Sequence, residues 1–121
     1  MVIALLAAIA IAIVVTSAGA REEVREIHLV ARGMSFYLEA DPSTANPSIV
    51  VNQGERVRVV LRNETPGMAH DLAVASMAAV IAPLAAGETG VLDLQAPDRP
   101  GRHEYHCRPH AVMMKGVLEV R

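Results

Sequence analysis

Residues 100–120 read PGRHEYHCRPHAVMMKGVLEV and combine two strand patterns with a short loop between them. In RHEYHC the residues alternate, which places His103, Tyr105 and Cys107 on one face of a strand. The run GVLEV is typical of a second short strand. The loop holds the only cysteine of the chain, a histidine three residues later and then two adjacent methionines. It therefore concentrates a thiol, an imidazole and two thioethers between two strands.

A further strand pattern lies at ERVRVVLRN, residues 55–63. Val57, Val59 and Leu61 alternate with arginines, so one face of this segment is apolar and the other is charged. The alternation predicts a half-buried strand whose apolar face packs against a core. The preceding PSIVV predicts another short strand, which ends in a turn at residues 52–54.

Other short strand patterns occur at DLAVAS and at GVLDLQAP. The segment VASMAAVIAPLAAGETG, residues 74–90, is ambiguous, because its alanines favour a helix whereas Pro83 and Gly87 interrupt one. We expect a short strand or turn there, followed by a loop that closes at Gly87-Glu88. About seven short strands in residues 27–121, separated by Gly- and Pro-containing turns, predict an all-β sandwich of one domain.

The N-terminal stretch MVIALLAAIAIAIVVTSAGA, residues 1–20, carries no charged side chain and ends in small residues. Its length and composition predict one hydrophobic helix, either a cleaved signal peptide or a membrane anchor that is retained. A buried helix is the alternative, but a domain of this size has little core in which to hide it. Residues 21–26, REEVRE, are interpreted as a spacer before a folded domain at residues 27–121. We therefore expect an extracytoplasmic protein, secreted or tethered to a membrane through residues 2–20.

Composition argues against several classes of partner. The chain has 11 basic and 13 acidic residues and a net charge of −2, whereas nucleic-acid binding usually requires a basic excess. Its aromatic residues are one phenylalanine and two tyrosines, which makes stacking platforms for bases or sugars unexpected. No large apolar surface stripe is evident, so we expect a monomer that binds no nucleic acid.

The loop chemistry indicates a metal site. Cys107, His110 and Met113 follow a Cys-x-x-His-x-x-Met spacing, and a thiolate with a thioether favours copper over calcium, magnesium or manganese. Zinc accepts cysteine and histidine but seldom a thioether, and the Cys-x-x-Cys-His motif of c-type haem is absent. His70, 37 positions before the cysteine, is the obvious second imidazole. Two histidines, one cysteine and a weak axial methionine are the ligands of a blue-copper centre.

Three segments, LRNETPGMAHDL, LAAGETG and PGRHEYHCRPHAVMMKGVLEV, resemble the cupredoxins, the group that includes plastocyanin, amicyanin and pseudoazurin. The resemblance extends from about Ile27 to the C-terminus. It implies a Greek-key β-sandwich with one type 1 copper ion held by His70, Cys107, His110 and Met113. It further implies a carrier of single electrons rather than an enzyme.

The sequence departs from that family in three places. Met114 competes with Met113 as the axial ligand, because one more residue precedes Gly116 than in the similar loop of amicyanin. Arg108 and Asp71 stand where the family often has a small hydroxyl residue and an asparagine. Because the two charges are complementary and each follows a ligand, we predict an Asp71–Arg108 ion pair that clamps the two ligand-bearing loops together.

The loop also allows interpretations other than electron transfer. A lone cysteine in a β-sandwich is often a core residue, and a Cys–His pair is in principle a nucleophile, although no oxyanion-forming turn accompanies it here. The chain could instead be a copper protein that stores or delivers the ion, or a copper centre with an open coordination position. We do not expect His28, His103 or His106 to be ligands.

The resemblance also places His110 at one end of the domain with an exposed ring edge. Redox partner proteins are expected to dock transiently on an apolar patch around it, formed by Met68, Pro109, Ala111 and Val112.

Overall fold

A computed structural model describes Gly19 and residues 22–121 of the chain. The predicted N-terminal hydrophobic helix falls on residues 1–20, which lie outside the described residues except for Gly19. Within the part of the chain that is described, no helix is long and apolar enough to cross a membrane.

Nine strands and two short 3-10 helices make up the described domain. The strands are β1 (Arg25–Arg32), β2 (Ser35–Leu38), β3 (Ile49–Val51), β4 (Arg56–Asn63), β5 (His70–Val74), β6 (Ala79–Leu84), β7 (Thr89–Gln95), β8 (Gly101–His106) and β9 (Lys115–Val120). The 3-10 helices are Ala75–Met77 and Arg108–His110.

The strands form two mixed sheets that pack face to face. One sheet has four strands in the order β2-β1-β4-β7, and the other has five in the order β3-β9-β8-β5-β6. The β1–β4 and β3–β9 pairs are parallel, and the remaining pairs are antiparallel. As the alternation in β4 predicts, Val57, Val59 and Leu61 are buried between the sheets. The predicted all-β sandwich is confirmed.

The structure refines two boundaries that the sequence left loose. Strand β1 begins at Arg25, two residues before the predicted start of the domain. The ambiguous segment contains the 3-10 helix and then β6, an edge strand of the five-stranded sheet. Pro83 is accommodated in β6 because a proline, which lacks an N–H group, is tolerated on an edge strand.

The order of the five-stranded sheet brings the predicted ligands to one end of the sandwich. Strands β5 and β8 are antiparallel neighbours, with Ala73 paired to His106. The start of β5, at His70, and the end of β8, immediately before Cys107, therefore lie at the same end of the sheet.

A buried tyrosine anchors the strand that leads to this end. Tyr105 of β8 is paired with Gly116 of β9, and a Cβ atom at Gly116 would overlap the tyrosine ring. The Tyr105 hydroxyl donates a hydrogen bond of 2.6 Å to the carbonyl of Pro47, in the connection between β2 and β3. This connection is therefore tied to the strand that precedes Cys107.

Candidate metal centre

Three of the four predicted ligands converge. The donor atoms of His70, Cys107 and His110 all lie within 4.8 Å of one another, and no other such group of histidine, cysteine and acidic residues occurs among the described residues. The Cys107 Sγ atom is 3.7 Å from His70 Nδ1 and 3.5 Å from His110 Nδ1. The two imidazole rings meet edge to face, with centroids 5.0 Å apart.

These distances fit a shared metal ion. With metal–sulfur and metal–nitrogen bonds of about 2.3 and 2.0 Å, two such donors at tetrahedral to trigonal angles lie about 3.5 to 3.8 Å apart. Both nitrogen–sulfur distances fall within that range. The thiol and the two imidazoles are also the donor types that copper prefers. The three side chains therefore fit a single type 1 copper ion.

The loop between β8 and β9, residues 107–114, carries two of the three ligands and is here called the ligand loop. His106 pairs with Lys115 at its base, and the Cys107 N–H donates to the Met114 carbonyl at 3.0 Å. The loop opens with the 3-10 helix Arg108–His110, in which the His110 N–H donates to the Cys107 carbonyl at 3.1 Å. This tight turn brings the imidazole of His110 back to the sulfur three residues earlier.

The loop before His70 is organised by a residue that the sequence analysis missed. Asn63 is fully buried at the end of β4, and its amide donates to the carbonyls of Met68 at 2.7 Å and Leu84 at 2.8 Å. Its Oδ1 accepts from the Thr65 N–H at 2.9 Å. The available signal was an asparagine at the inward-facing position that follows Val57, Val59 and Leu61 in the strand alternation.

Burial shifts the pKa values of His70 and Cys107 in opposite directions. The pKa of His70 is lowered, first because burial disfavours the imidazolium and then because His110 would add a like charge. A neutral imidazole is the form that binds a metal. Burial raises the pKa of the Cys107 thiol, against a smaller opposing effect of the Asp71 N–H. A metal ion that binds here must therefore displace the thiol proton.

The predicted ion pair between the two ligand-bearing segments is confirmed. Arg108 Nε donates to Asp71 Oδ2 at 2.6 Å, and the Arg108 backbone N–H donates to Asp71 Oδ1 at 2.7 Å. The Asp71 N–H lies 3.5 Å from the Cys107 sulfur. Asp71, which directly follows His70, is thus bonded to Arg108, which directly follows Cys107. The backbone N–H of Asp71 also faces the sulfur.

The two methionines of the ligand loop differ in burial. Its side chain is 60% exposed, whereas that of Met114 is completely buried in the core cluster that includes Cys107. Residue spacing along the loop favours Met113, but spacing does not show how the loop turns. The turn at His110 reverses the chain so that the second methionine, and not the first, faces inward. The buried thioether of the ligand loop is therefore that of Met114.

The histidines that are not predicted to be ligands lie outside the metal-binding group. That group, within the described residues, contains none of His28, His103 and His106. His106 Nδ1 lies 3.4 Å from a carboxylate oxygen of Glu104.

The predicted apolar patch around His110 is largely at the surface. Met68, Pro109 and Val112 are exposed, and Ala111 is half-buried. The docking of redox partners on this patch stays a prediction.

The structure is similar to solved structures of two auracyanins and of a copper-containing nitrite reductase. Auracyanin B is 21% identical with a TM-score of 0.63, over 80% of this chain and 88% of that chain. Auracyanin A, a "blue" copper protein from Chloroflexus aurantiacus, is 17% identical with a TM-score of 0.64, over 82% and 100%. The copper-containing nitrite reductase of Thermus scotoductus is 21% identical with a TM-score of 0.59, over 82% of this chain but 28% of that chain. No protein-family profile and no curated protein matches the chain. At these identities the likeness establishes the fold.

Proposed function

We propose that this chain, whose domain has the cupredoxin fold, carries single electrons between partner proteins through one type 1 copper ion. The observation that carries the proposal is the convergence of the donor atoms of His70, Cys107 and His110 within 4.8 Å of one another at one end of the sandwich. The similar folds of two auracyanins, one of which is described as a blue copper protein, support it.

His70, Cys107 and His110 would hold the copper, and we propose Met114 as the weak axial ligand in place of Met113. Met114 is buried in the same cluster as the cysteine, whereas Met113 faces solvent. When bound, copper supplies a one-electron couple between Cu(I) and Cu(II), whose potential is tuned by the axial ligand and the surroundings of the sulfur.

The chain holds the donors in fixed positions. His70 is the first residue of β5, and Cys107 directly follows the end of β8. The Asp71 N–H and the bonds between Asp71 and Arg108 tie these two segments to each other. A site that is held in this way keeps nearly the same geometry in both oxidation states, which suits rapid electron transfer.

We propose that partners dock on the apolar surface around His110. His110 is half-buried, whereas His70 and Cys107 are fully buried, so His110 is the ligand that reaches the surface. Met68, Val112 and Met113 are large exposed apolar side chains, and Val112 is 89% exposed. A small apolar surface of a few side chains suits brief docking with an interface area at the low end of the usual range.

The burial of the donors favours a carrier over a copper-delivery protein. Delivery requires that an incoming protein replace the ligands one by one, and here neither Cys107 nor His70 is accessible. An electron needs only the edge of His110. We also favour a carrier over an enzyme, because a single metal-binding group occurs in the described residues and the similar nitrite reductase chain is several times longer.

We propose that the protein works outside the cytoplasm, as a monomer, either secreted or tethered through residues 2–20. The uncharged, apolar N-terminal sequence supports this location. Cells that express the full chain are fractionated, and the mass of the mature protein is measured. A tethered form keeps residues 1–20 and stays with the membrane, whereas a cleaved form lacks them.

The carrier proposal is tested by loading the purified protein with copper and measuring its reduction potential and its electron self-exchange rate. We expect a reversible one-electron couple and fast self-exchange. Val112→Asn, which is polar but adds no charge, is expected to slow self-exchange while leaving the potential unchanged, because the side chain is exposed and is not among the ligands. Transfer of Cu(I) to a metal-free acceptor protein without reversible redox cycling would instead indicate copper delivery.

A further inference from the structure

Asn46, in the connection between β2 and β3, joins two parts of the domain that are far apart in sequence. Its backbone N–H donates to the Phe36 carbonyl at 2.7 Å, and its Oδ1 accepts from the Phe36 N–H at 3.0 Å. Its Nδ2 donates to the Met113 carbonyl at 3.0 Å, across 67 positions of the chain. Its φ angle of 49° lies in the left-handed region, which asparagine tolerates better than most residues.

The two side-chain bonds require an amide. One side-chain atom of Asn46 faces the Phe36 N–H and must accept, and the other faces the Met113 carbonyl and must donate. The partners therefore fix the orientation of the amide. Aspartate would keep the acceptor but lose the donor, and glycine would keep the backbone conformation but lose both groups.

The hydrogen bond to Met113 completes a set of restraints on the end of the ligand loop. The Met114 N–H donates to the His110 carbonyl at 2.8 Å, and the Met114 carbonyl accepts from the Cys107 N–H at 3.0 Å. With the Met113 carbonyl held by Asn46, the peptide between the two methionines is fixed on both sides. Because the methionines are adjacent, a shift of the chain by one residue at this point would exchange the side chain that faces inward, and these hydrogen bonds oppose such a shift.

The neighbour of Asn46 is anchored as well. The carbonyl of Pro47 accepts the hydrogen bond from the buried Tyr105 hydroxyl on β8. The segment 46–47 therefore contacts the chain just before the ligand loop, at Tyr105, and within the loop, at Met113. It therefore ties strand β8 to the end of the ligand loop.

We propose that Asn46 is a positioning residue that selects Met114 over Met113 as the thioether presented to the copper ion, and that it acts through the Met113 carbonyl. The inference rests on the proposed copper site for its functional meaning. Which methionine side chain faces inward is set by the protein alone, so it can be measured in the metal-free protein.

The test uses the full chain with ¹³C-labelled methionine methyl groups and a soluble nitroxide that broadens exposed methyl signals. Met113→Leu and Met114→Leu assign the two signals. In the metal-free wild-type protein, the Met113 methyl is expected to broaden and the Met114 methyl to stay sharp. In Asn46→Asp the Met114 methyl is expected to lose this protection. Asn52→Asp, the same chemical change at an exposed turn residue, should leave both signals as in the wild type.

A Met114 methyl that stays protected in Asn46→Asp would overturn the proposal, even if the variant melts at a lower temperature, because a merely structural role predicts only the loss of stability. If the aspartate variant does not fold, Asn46→Gly, which suits the left-handed backbone, replaces it in the measurement, with the same expected loss of protection at the Met114 methyl group.

Copper loading provides a second readout. Asn46→Asp is expected to show two copper spectral components, of which the additional one disappears in Asn46→Asp with Met113→Leu. A single unchanged spectrum in Asn46→Asp would contradict the selection. If the wild-type protein itself gives no type 1 spectrum, the proposed function fails, while the methyl measurement still decides the role of Asn46.

Discussion

Two arginine–aspartate pairs of this domain have similar geometry and different surroundings. Arg108 Nε lies 2.6 Å from an oxygen of Asp71 beside the metal centre, and Arg58 Nε lies 2.8 Å from an oxygen of Asp93 on the outer face of the four-stranded sheet. The arginines are similarly exposed, at 50% and 43%, but the aspartates are 2% and 63% exposed. The difference between the pairs is therefore the burial of one carboxylate.

That difference decides what each pair contributes. An exposed pair is worth only about 0 to 1 kcal/mol, because water solvates both charges almost as well when they are apart. Asp71 has little access to water, so it depends on the hydrogen bonds from Arg108. Its negative charge also lies beside the sulfur, where it acts on any metal ion that binds. The buried pair is thus expected to affect both stability and redox potential, whereas the exposed pair should affect stability only slightly and the potential not at all.

Removal of each carboxylate in turn should give the largest difference between the two pairs, in the free energy of unfolding. Asp71→Ala leaves the Arg108 backbone N–H without its acceptor and is expected to lower the free energy of unfolding by about 2 to 3 kcal/mol. The penalty stays below that of a fully buried broken ion pair because the Arg108 head group is half-exposed. Asp93→Ala should cost much less, because both charges of its pair are exposed to solvent. Denaturant unfolding of the metal-free proteins measures both, and equal losses would contradict the comparison.

Neutralisation of Asp71 tests its effect on the metal. Asp71→Asn keeps the shape of the side chain but removes a negative charge near the copper, which favours Cu(I) and should raise the reduction potential. Voltammetry of the copper-loaded protein measures this shift, with Asp93→Asn as the matched control. An unchanged potential together with unchanged copper affinity would show that the pair does not support the site.

Removal of the positive partner should shift the potential in the opposite direction. In Arg108→Ala the Asp71 carboxylate keeps the bond from the backbone N–H but loses the compensating charge. The potential is therefore expected to fall, and Arg58→Ala should leave it unchanged. A rise in Arg108→Ala would mean that the variant acts by disturbing the loop and not through charge.

The smallest expected effect is the change of these stability losses with salt concentration. Exposed charges are screened at high ionic strength, whereas buried ones are screened much less. The small loss of stability in Asp93→Ala should therefore vanish at a salt concentration of about 1 M, where the Debye length is about 3 Å. The loss in Asp71→Ala should persist. If salt removed both losses, Asp71 would behave as a surface residue.

The same contrast shows what the sequence could and could not predict. The Asp71–Arg108 pair was predictable because each residue directly follows a ligand and their charges are complementary. Strand β4 was predictable because its alternation is regular. Residue spacing favoured Met113 over Met114, but spacing does not show which side chain faces inward, since that depends on how the loop turns at His110. Asn46 gave no signal, because its partner Met113 is 67 positions away and only the folded chain brings the two together.

The central claim is that His70, Cys107 and His110 hold one copper ion. The most direct test is the visible absorption spectrum of the protein loaded with one equivalent of Cu(II), recorded beside Cys107→Ser. We predict an intense sulfur-to-copper band that is lost on reduction with ascorbate, returns with ferricyanide and is absent in the serine variant. A protein that binds copper without this band, or a serine variant that retains it, would contradict the claim.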